Sequence, residues 1–254
     1  MIVLVHVPSA KLQLGERMFV DRAVLDFDRA AQQHEAYCRV LTDCGANVVS
    51  LDVNADLPDS VFIEDTTVVV DRIAILMSMG AFSRQDEPAG LTATLKQYRD
   101  VEEINLPARI EGGDVLRVGR RLFVGLSQRT DKAGVEALAE IATRFGYQIT
   151  PVPVRGCLHL KTACTALPDG RLLVNPNWLD VNALGRWDLI EIPADEPWGA
   201  NVLPVHETVI LPAAHVNTAN LVDSLGFAVQ LVEISEFAKA EGGVTCLSLL
   251  IERE

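Results

Sequence analysis

Three stretches of the chain carry one pattern, a glycine followed by apolar residues at the same three offsets: GANVVSLDV at 45–53, GYQITPVPV at 146–154 and GFAVQLVEI at 226–234. Each follows a segment with apolar spacing of three and four, namely DFDRAAQQHEAYCRVLTDC, DKAGVEALAEIATRF and NTANLVDSL. That spacing predicts an amphipathic helix, ended by the glycine and followed by an extended strand. Two looser copies fill the gaps, VEEINLP at 101–107 after LTATLKQY, and DLIEIPA at 188–194. The copies fall roughly 40 to 55 residues apart, a period that belongs to repeat architectures. Behind each stands a further β-like segment: SVFIEDTTVVV, GGDVLRVGRRLFVG, CLHLKTACTALPDGRLLV, GANVLPVHETVIL and GVTCLSLLIE. The unit therefore reads strand, strand, helix, strand. Five such units closing around an axis predict a five-bladed α/β propeller, with residues 1–254 forming one domain.

Composition narrows the class. With 254 residues, 49% of them apolar, the chain can bury a sizeable core. A formal charge of −13 argues against a nucleic-acid partner, which needs clustered Lys and Arg. No apolar run reaches the roughly 18 to 20 residues of a membrane span, and the start MIVLVHVPSAKLQ lacks the basic region and cleavage site of a signal peptide. The expected location is the cytoplasm, away from membranes. Cys38, Cys44, Cys157, Cys164 and Cys246 form an odd set without a CxxC pair, which suits reduced thiols better than disulfides or structural zinc.

In a closed ring, the segment after each repeated strand approaches the axis. The unusual residues fall there: Glu64 and Asp65 in FIED, Glu111 and Asp114 in IEGGD, His159 in CLHLK, Asn201 in GAN, and Cys246 in GGVTC. Alone, each has an ordinary use. A single cysteine is usually a small buried hydrophobe, a histidine between leucines a satisfied core residue, and an acid beside two glycines part of a turn. Together they supply a thiol nucleophile, a proton carrier and a carboxylate to orient it. The remaining acids repel one another in a partly dry cup and call for a cation, which the planar guanidinium satisfies best. Chemistry on a guanidine carbon is therefore expected. A zinc site of Cys246, His159 and an acid uses the same residue types and ranks below it.

LPDSVFIEDTTVVV, GAFSR, EGGDVL with LFVGLSQRT, CLHLKTAC and EGGVTCLSL, in this order from about residue 30 to the C-terminus, resemble the dimethylarginine dimethylaminohydrolases (dimethylargininases) of the guanidine-modifying, or pentein, superfamily. The resemblance implies a pentein fold of pseudo-fivefold ββαβ units. It implies hydrolysis of a small-molecule guanidine substrate, methylated arginine, to citrulline and dimethylamine or methylamine through a covalent thiouronium on cysteine, with no cofactor or metal. Position by position it implies Cys246 as nucleophile, His159 as general acid and base, and Glu111 as the partner of His159. Asp65 and Glu64 would hold the guanidinium, with Asp59 near and Phe62 lining the pocket. Arg84 and Arg129 would grip the carboxylate end of the substrate, and the backbone at Ala240 its α-amino group. The chain departs from relatives in SMGAFSRQD, which lacks their Arg-Pro before the glycine and second arginine after Arg84, and in Glu241, where an aspartate is common. AKLQLGERMFV, with the lid residues near 12–20, falls where relatives carry a lid. The alternatives are a deiminase or dihydrolase of arginine or another guanidine, an amidinotransferase, and a non-enzymatic propeller that binds a partner. The expected state is monomer or homodimer.

Overall fold

The computed structural model describes residues 1–252 and contains fifteen strands in five three-stranded sheets. The chain begins with β1 (Ile2–His6), α1 (Phe27–Asp43) and β2 (Asn47–Leu51). Blade one is β3 (Thr67–Val70), β4 (Ile73–Leu76), α2 (Glu87–Leu95) and β5 (Asp100–Glu103). Blade two is β6 (Val115–Val118), β7 (Arg121–Leu126), α3 (Lys132–Ala142) and β8 (Gln148–Pro153). A short helix α4 (Leu160–Ala163) leads into blade three, β9 (Cys164–Ala166), β10 (Leu172–Val174) and β11 (Leu189–Glu191). Blade four is β12 (Leu203–Val205), β13 (Thr208–Pro212), α5 (Val216–Ser224) and β14 (Ala228–Val232), followed by the short helix α6 (Ser235–Ala238) and β15 (Leu249–Ile251).

Every sheet has the same topology. Its middle strand pairs antiparallel with the strand before it and parallel with the strand after it. The fifth sheet obeys this rule with strands from both chain ends, since β15 lies antiparallel to β1 (Leu4 opposite Leu249) and β1 parallel to β2. The five-unit expectation holds, with one correction. Blade three has no α-helix between its last two strands, only a 3-10 turn at Val181–Leu184 ending in Gly185 with φ 75°. The sequence there, NPNWLDVNALGRW, is broken by proline and glycine and cannot sustain the apolar spacing of the other connections.

The repeated glycine has a backbone cause. Gly45, Gly146 and Gly226 close their helices with φ of 88°, 78° and 94°, the left-handed region that costs other L-residues strain. Asp26 and Asp131 start α1 and α3 by accepting hydrogen bonds from the N–H groups of Arg29 and Gly134, at 3.0 and 2.9 Å.

The middle strands explain how the ring holds together. Alternate residues of a strand point to opposite faces, and here both faces are buried. In β7, Leu122 and Val124 enter the core shared with blade one, while Phe123 enters the core shared with blade three. In β13, Ile210 faces the closing sheet, whereas Val209 and Leu211 face blade three. In β1, Val3 and Val5 face blade four, and Leu4 packs with Leu76, Leu91 and Leu249 toward blade one. Five cores result, one between each pair of neighbouring blades, and the first strands of all five sheets line a central channel.

No helix among the described residues is long and apolar enough to cross a membrane. Because Leu4 is fully buried at the seam that closes the ring, Leu4→Ala is expected to lower the unfolding free energy by about 2–5 kcal/mol. Urea denaturation followed by far-UV circular dichroism measures that loss; a smaller change would mean that the seam is not a cooperative part of the fold.

Candidate active site

The turns leading into the five first strands meet at one end of the channel. Blade one supplies Glu64 and Asp65 from a 3-10 turn at Ile63–Thr66, and blade two supplies Glu111 and the turn Gly112–Asp114. His159 stands at the N-terminus of α4, with Asn201 two residues before β12 and Cys246 three residues before β15. The two adjacent glycines of the second turn allow this approach. A Cβ on Gly113 would sit 2.6 Å from both Nδ1 of His159 and Oδ1 of Asp65.

His159 is buried and held from two sides. Its Nε2 lies 2.8 Å from Oε2 of Glu111, and its Nδ1 lies 3.7 Å from Oδ1 of Asp65. The other oxygen of Glu111 accepts hydrogen bonds from the Gly80 N–H at 3.0 Å and from Nη1 of Arg129 at 3.2 Å. Burial alone would strip the imidazole of its proton. The charge of Asp65, the hydrogen bond to Glu111 and the charge of Asp114 outweigh it and raise its pKa. Burial would likewise raise Glu111, but the hydrogen bond and charge of His159, then Arg129, hold it below the usual carboxylate range. The pair therefore rests as imidazolium and carboxylate at neutral pH.

Cys246 has the opposite bias. Burial, followed by the negative charges of Glu64 and Asp65, pushes its thiol up to about 12, and the N–H of Gly243, 3.4 Å from Sγ, offsets only part of this. The resting sulfur is a thiol, and a cation placed beside Asp65 favours the thiolate.

Eight of the ten residues singled out for the site share one small pocket: Cys246, His159, Asp59, Phe62, Asp65, Arg84, Arg129 and the Ala240 segment. Glu111 stands behind His159. Glu64 departs from the expectation that it holds the guanidinium. It does not line this pocket but borders the central channel, with Oε1 accepting from Nζ of Lys161 at 2.7 Å and Oε2 from the Thr245 hydroxyl at 2.7 Å. A buried carboxylate needs a cation, and here Lys161 provides it. Arg84 also departs in part. It borders the pocket, yet its guanidinium is buried and spans Asp65 (2.7 Å) and Glu87 (2.7 Å), while its Nη2 also donates to the carbonyl of Phe62 at 3.1 Å. It fixes Asp65 at least as directly as it could grip a ligand. Arg129 keeps Nη2 free of protein partners among the described contacts, so it is the better placed cation for an anionic ligand group.

Of the segment expected to carry a lid, Glu16 lines the pocket. The N–H groups of Met18 and Phe19 each donate to the carboxylate of Glu241 at 2.8 Å, and the Glu16 N–H donates to Oδ2 of Asp59 at 3.1 Å. Glu241 adopts φ 68° to aim its carboxylate there, and Glu16 joins the lining. Sequence reasoning gave no role to Lys161, Thr245 or Glu87. The signal it could have used was the demand of buried acids for partners, since Lys161 sits two residues from His159 in CLHLK. Among the described residues, the group of side chains able to hold a metal ion is Asp65, Glu111 and His159, without Cys246. The zinc arrangement weighed from sequence used the cysteine, so the geometry does not assemble it.

Known proteins share this sequence and fold. The sequence model described as "N,N dimethylarginine dimethylhydrolase, eukaryotic" matches residues 21–164. An N(G),N(G)-dimethylarginine dimethylaminohydrolase of Streptomyces coelicolor is 38% identical over 97% of this chain and 95% of its own, and one of Pseudomonas aeruginosa is 34% identical over 88% and 89%. A solved structure of the Pseudomonas aeruginosa enzyme, a cysteine-to-serine mutant in complex with citrulline, superposes with a TM-score of 0.88 at 32% identity, covering 98% of both chains. The N-terminal domain of a cyanobacterial arginine dihydrolase superposes at 0.86 with 20% identity over 98% and 97%, a likeness of fold. On sequence similarity over nearly its whole length and on the shared five-bladed ring, the chain belongs to the dimethylarginine dimethylaminohydrolase family.

Proposed function

We propose that this protein hydrolyses Nω-methylated arginine to citrulline, releasing dimethylamine or methylamine, with Cys246 as nucleophile and His159 as proton carrier. The observation that carries the reading is a thiol, an imidazolium and the Asp65 carboxylate bordering one pocket, with Glu111 hydrogen-bonded to the imidazole from behind. The citrulline bound by the Pseudomonas aeruginosa relative supports the product.

The substrate guanidinium lies against Asp65, and its charge offsets the acids that keep Cys246 protonated, so on binding the thiol gives its proton to solvent and the thiolate forms. Arg129 meets the substrate carboxylate, while Asp59 and the carbonyls near Ala240 meet its ammonium. Sulfur adds to the guanidine carbon. The bond from that carbon to the methylated nitrogen then breaks as His159 donates its proton to the departing amine. This leaves a thiouronium on Cys246 and a neutral imidazole. The imidazole takes a proton from water, the resulting hydroxide adds to the same carbon, and the carbon–sulfur bond breaks as the hydroxyl proton of the adduct passes to the departing sulfur, releasing the neutral ureido group of citrulline and the resting thiol. Glu111 keeps the imidazole aligned and stabilises its charged form through both half-reactions. The residues complete this cycle without redox chemistry.

Cys246→Ser should reduce citrulline formation from asymmetric dimethylarginine by at least about a thousandfold while leaving the circular dichroism spectrum unchanged. Substantial turnover by that variant would end the thiol mechanism, and preference for unmethylated arginine in the same assay would move the chain to the dihydrolase reading.

Glu111→Gln tests the proton carrier. In the substrate complex the thiolate has formed, so kcat requires His159 protonated and declines as pH rises through its pKa. The carboxylate raises that pKa, and the amide removes the charge. The alkaline limb of kcat is therefore expected to move to lower pH. A limb that stays in place would assign it to a group other than His159.

A further inference from the structure

Asn201 is an axis residue read from the sequence to which neither the repeat nor the reaction gives a task. It is buried, and its amide is used in both senses. Nδ2 donates to the Lys161 carbonyl at 2.9 Å and to the Thr245 hydroxyl at 3.0 Å, while Oδ1 accepts from the Thr245 N–H at 3.2 Å. Lys161 is two residues from His159, and Thr245 is the neighbour of Cys246. One side chain from blade four thus ties the loop of the proton carrier to the loop of the nucleophile. The ring continues through blade one, because the Thr245 hydroxyl and the Lys161 ammonium each donate to Glu64.

The turn that carries Cys246 is shaped to this amide. A Cβ on Gly243 would fall 2.2 Å from Oδ1 of Asn201, so the glycine lets the turn lie flat against it. The same turn aims the Gly243 N–H at Sγ of Cys246, the one backbone donor that favours thiolate there. An amide fits this place and its relatives do not. Aspartate cannot donate to the Lys161 carbonyl, and it would add a negative charge beside a sulfur already surrounded by Glu64 and Asp65. Alanine leaves the space of the amide empty, makes none of its polar contacts and frees both loops.

We propose that Asn201 is a positioning residue that sets the Cys246 turn against the His159 loop and keeps the Gly243 N–H on the sulfur. This rests on the reading of Cys246 as nucleophile, and the two are separable because alkylation of a thiol needs no substrate.

The test uses the full chain with Asn201→Ala, Asn201→Asp and Thr245→Val, the last removing the hydroxyl between Asn201 and Glu64 at nearly constant volume. Iodoacetamide labelling of Cys246, followed by mass spectrometry as a function of pH, should shift to higher pH in all three, most in Asn201→Asp. With asymmetric dimethylarginine, kcat should fall about 10- to 100-fold in Asn201→Ala while KM changes less than about threefold, as misplacement of reacting groups implies. The Asn201→Ala, Thr245→Val double variant should lose less than the two single effects multiplied together, since the two side chains share a contact. A labelling profile identical to that of the unmodified protein in folded Asn201→Ala overturns the proposal, as does a KM that rises with kcat unchanged. If Asn201→Ala does not fold, Asn201→Ser decides by the same two readouts. If the unmodified protein releases no citrulline, the functional reading fails while the labelling profiles still judge Asn201.

Discussion

The antiparallel pairing of Leu249–Ile251 with Ile2–Leu4 is the constraint on which the rest of this structure depends. It closes the ring with the two ends of one chain, and it does so three residues after Cys246. An open row of four blades would leave β1 and β3 with an uncovered apolar face and hold the nucleophile on a free tail. Closure converts both into buried contacts and turns a terminal segment into one wall of the pocket. Because each middle strand feeds two cores, no blade can be displaced without exposing the apolar faces of both neighbours. The rigidity of the cup therefore comes from packing some distance away from it.

The cup itself is a problem of charge. Glu64, Asp65, Glu111, Asp114 and Glu87 are all buried in a chain that is already acidic, and each would cost several kcal/mol if left alone. The structure distributes cations and donors among them. Lys161 answers Glu64, Arg84 answers Asp65 and Glu87, and Arg129 with His159 answers Glu111. Asp114 takes the Ser127 hydroxyl and the Leu160 N–H at 2.6 and 2.8 Å. Asp65 is the member of this set that also opens onto the pocket beside the thiol, with one oxygen on Arg84 and the other receiving the Gly113 N–H. Glu64, though adjacent in sequence, is spent on structure. Two neighbouring acids in FIED thus divide into a wall of the ligand site and a strut beneath it.

The fold was legible because the helix-ending glycine and the strand behind it recur with a backbone reason that no other residue type meets as well. The looser copies lack that glycine for an equally physical reason: β5 is entered from Lys96–Arg99 without a left-handed residue, and β11 follows a 3-10 turn instead of a helix. The run IVLVH at 2–6 gave no such signal, since an apolar run without periodicity cannot announce that its partner strands lie at 47–51 and 249–251. In the site, Cys246, His159, Glu111 and Asp65 were legible as reactive types at equivalent places in the repeat. Lys161, Thr245 and the direction of Glu64 were not, because which oxygen meets which donor depends on blades far apart in sequence. The part of the wall contributed by Glu16 was hidden for the same reason: Glu16 donates its N–H to Asp59, and the N–H groups of Met18 and Phe19 beside it are held by Glu241, more than two hundred residues away.

The electrostatics of the sulfur argue for restraint as part of the design. Burial holds Cys157 near 12 and Cys164 above the usual thiol range, as expected of core cysteines. Cys246 stands equally high, although it borders a pocket, because Glu64 and Asp65 add negative charge to the effect of burial. A thiol tuned in this way does not meet stray electrophiles as a thiolate. On the proposed reading Asp65, one of the two acids that suppress it, attracts a planar cation, and the arriving charge lifts the suppression as a guanidine carbon comes within reach. Asp65 then selects the substrate and licenses the nucleophile by one and the same interaction, so recognition and activation cannot be uncoupled without altering both.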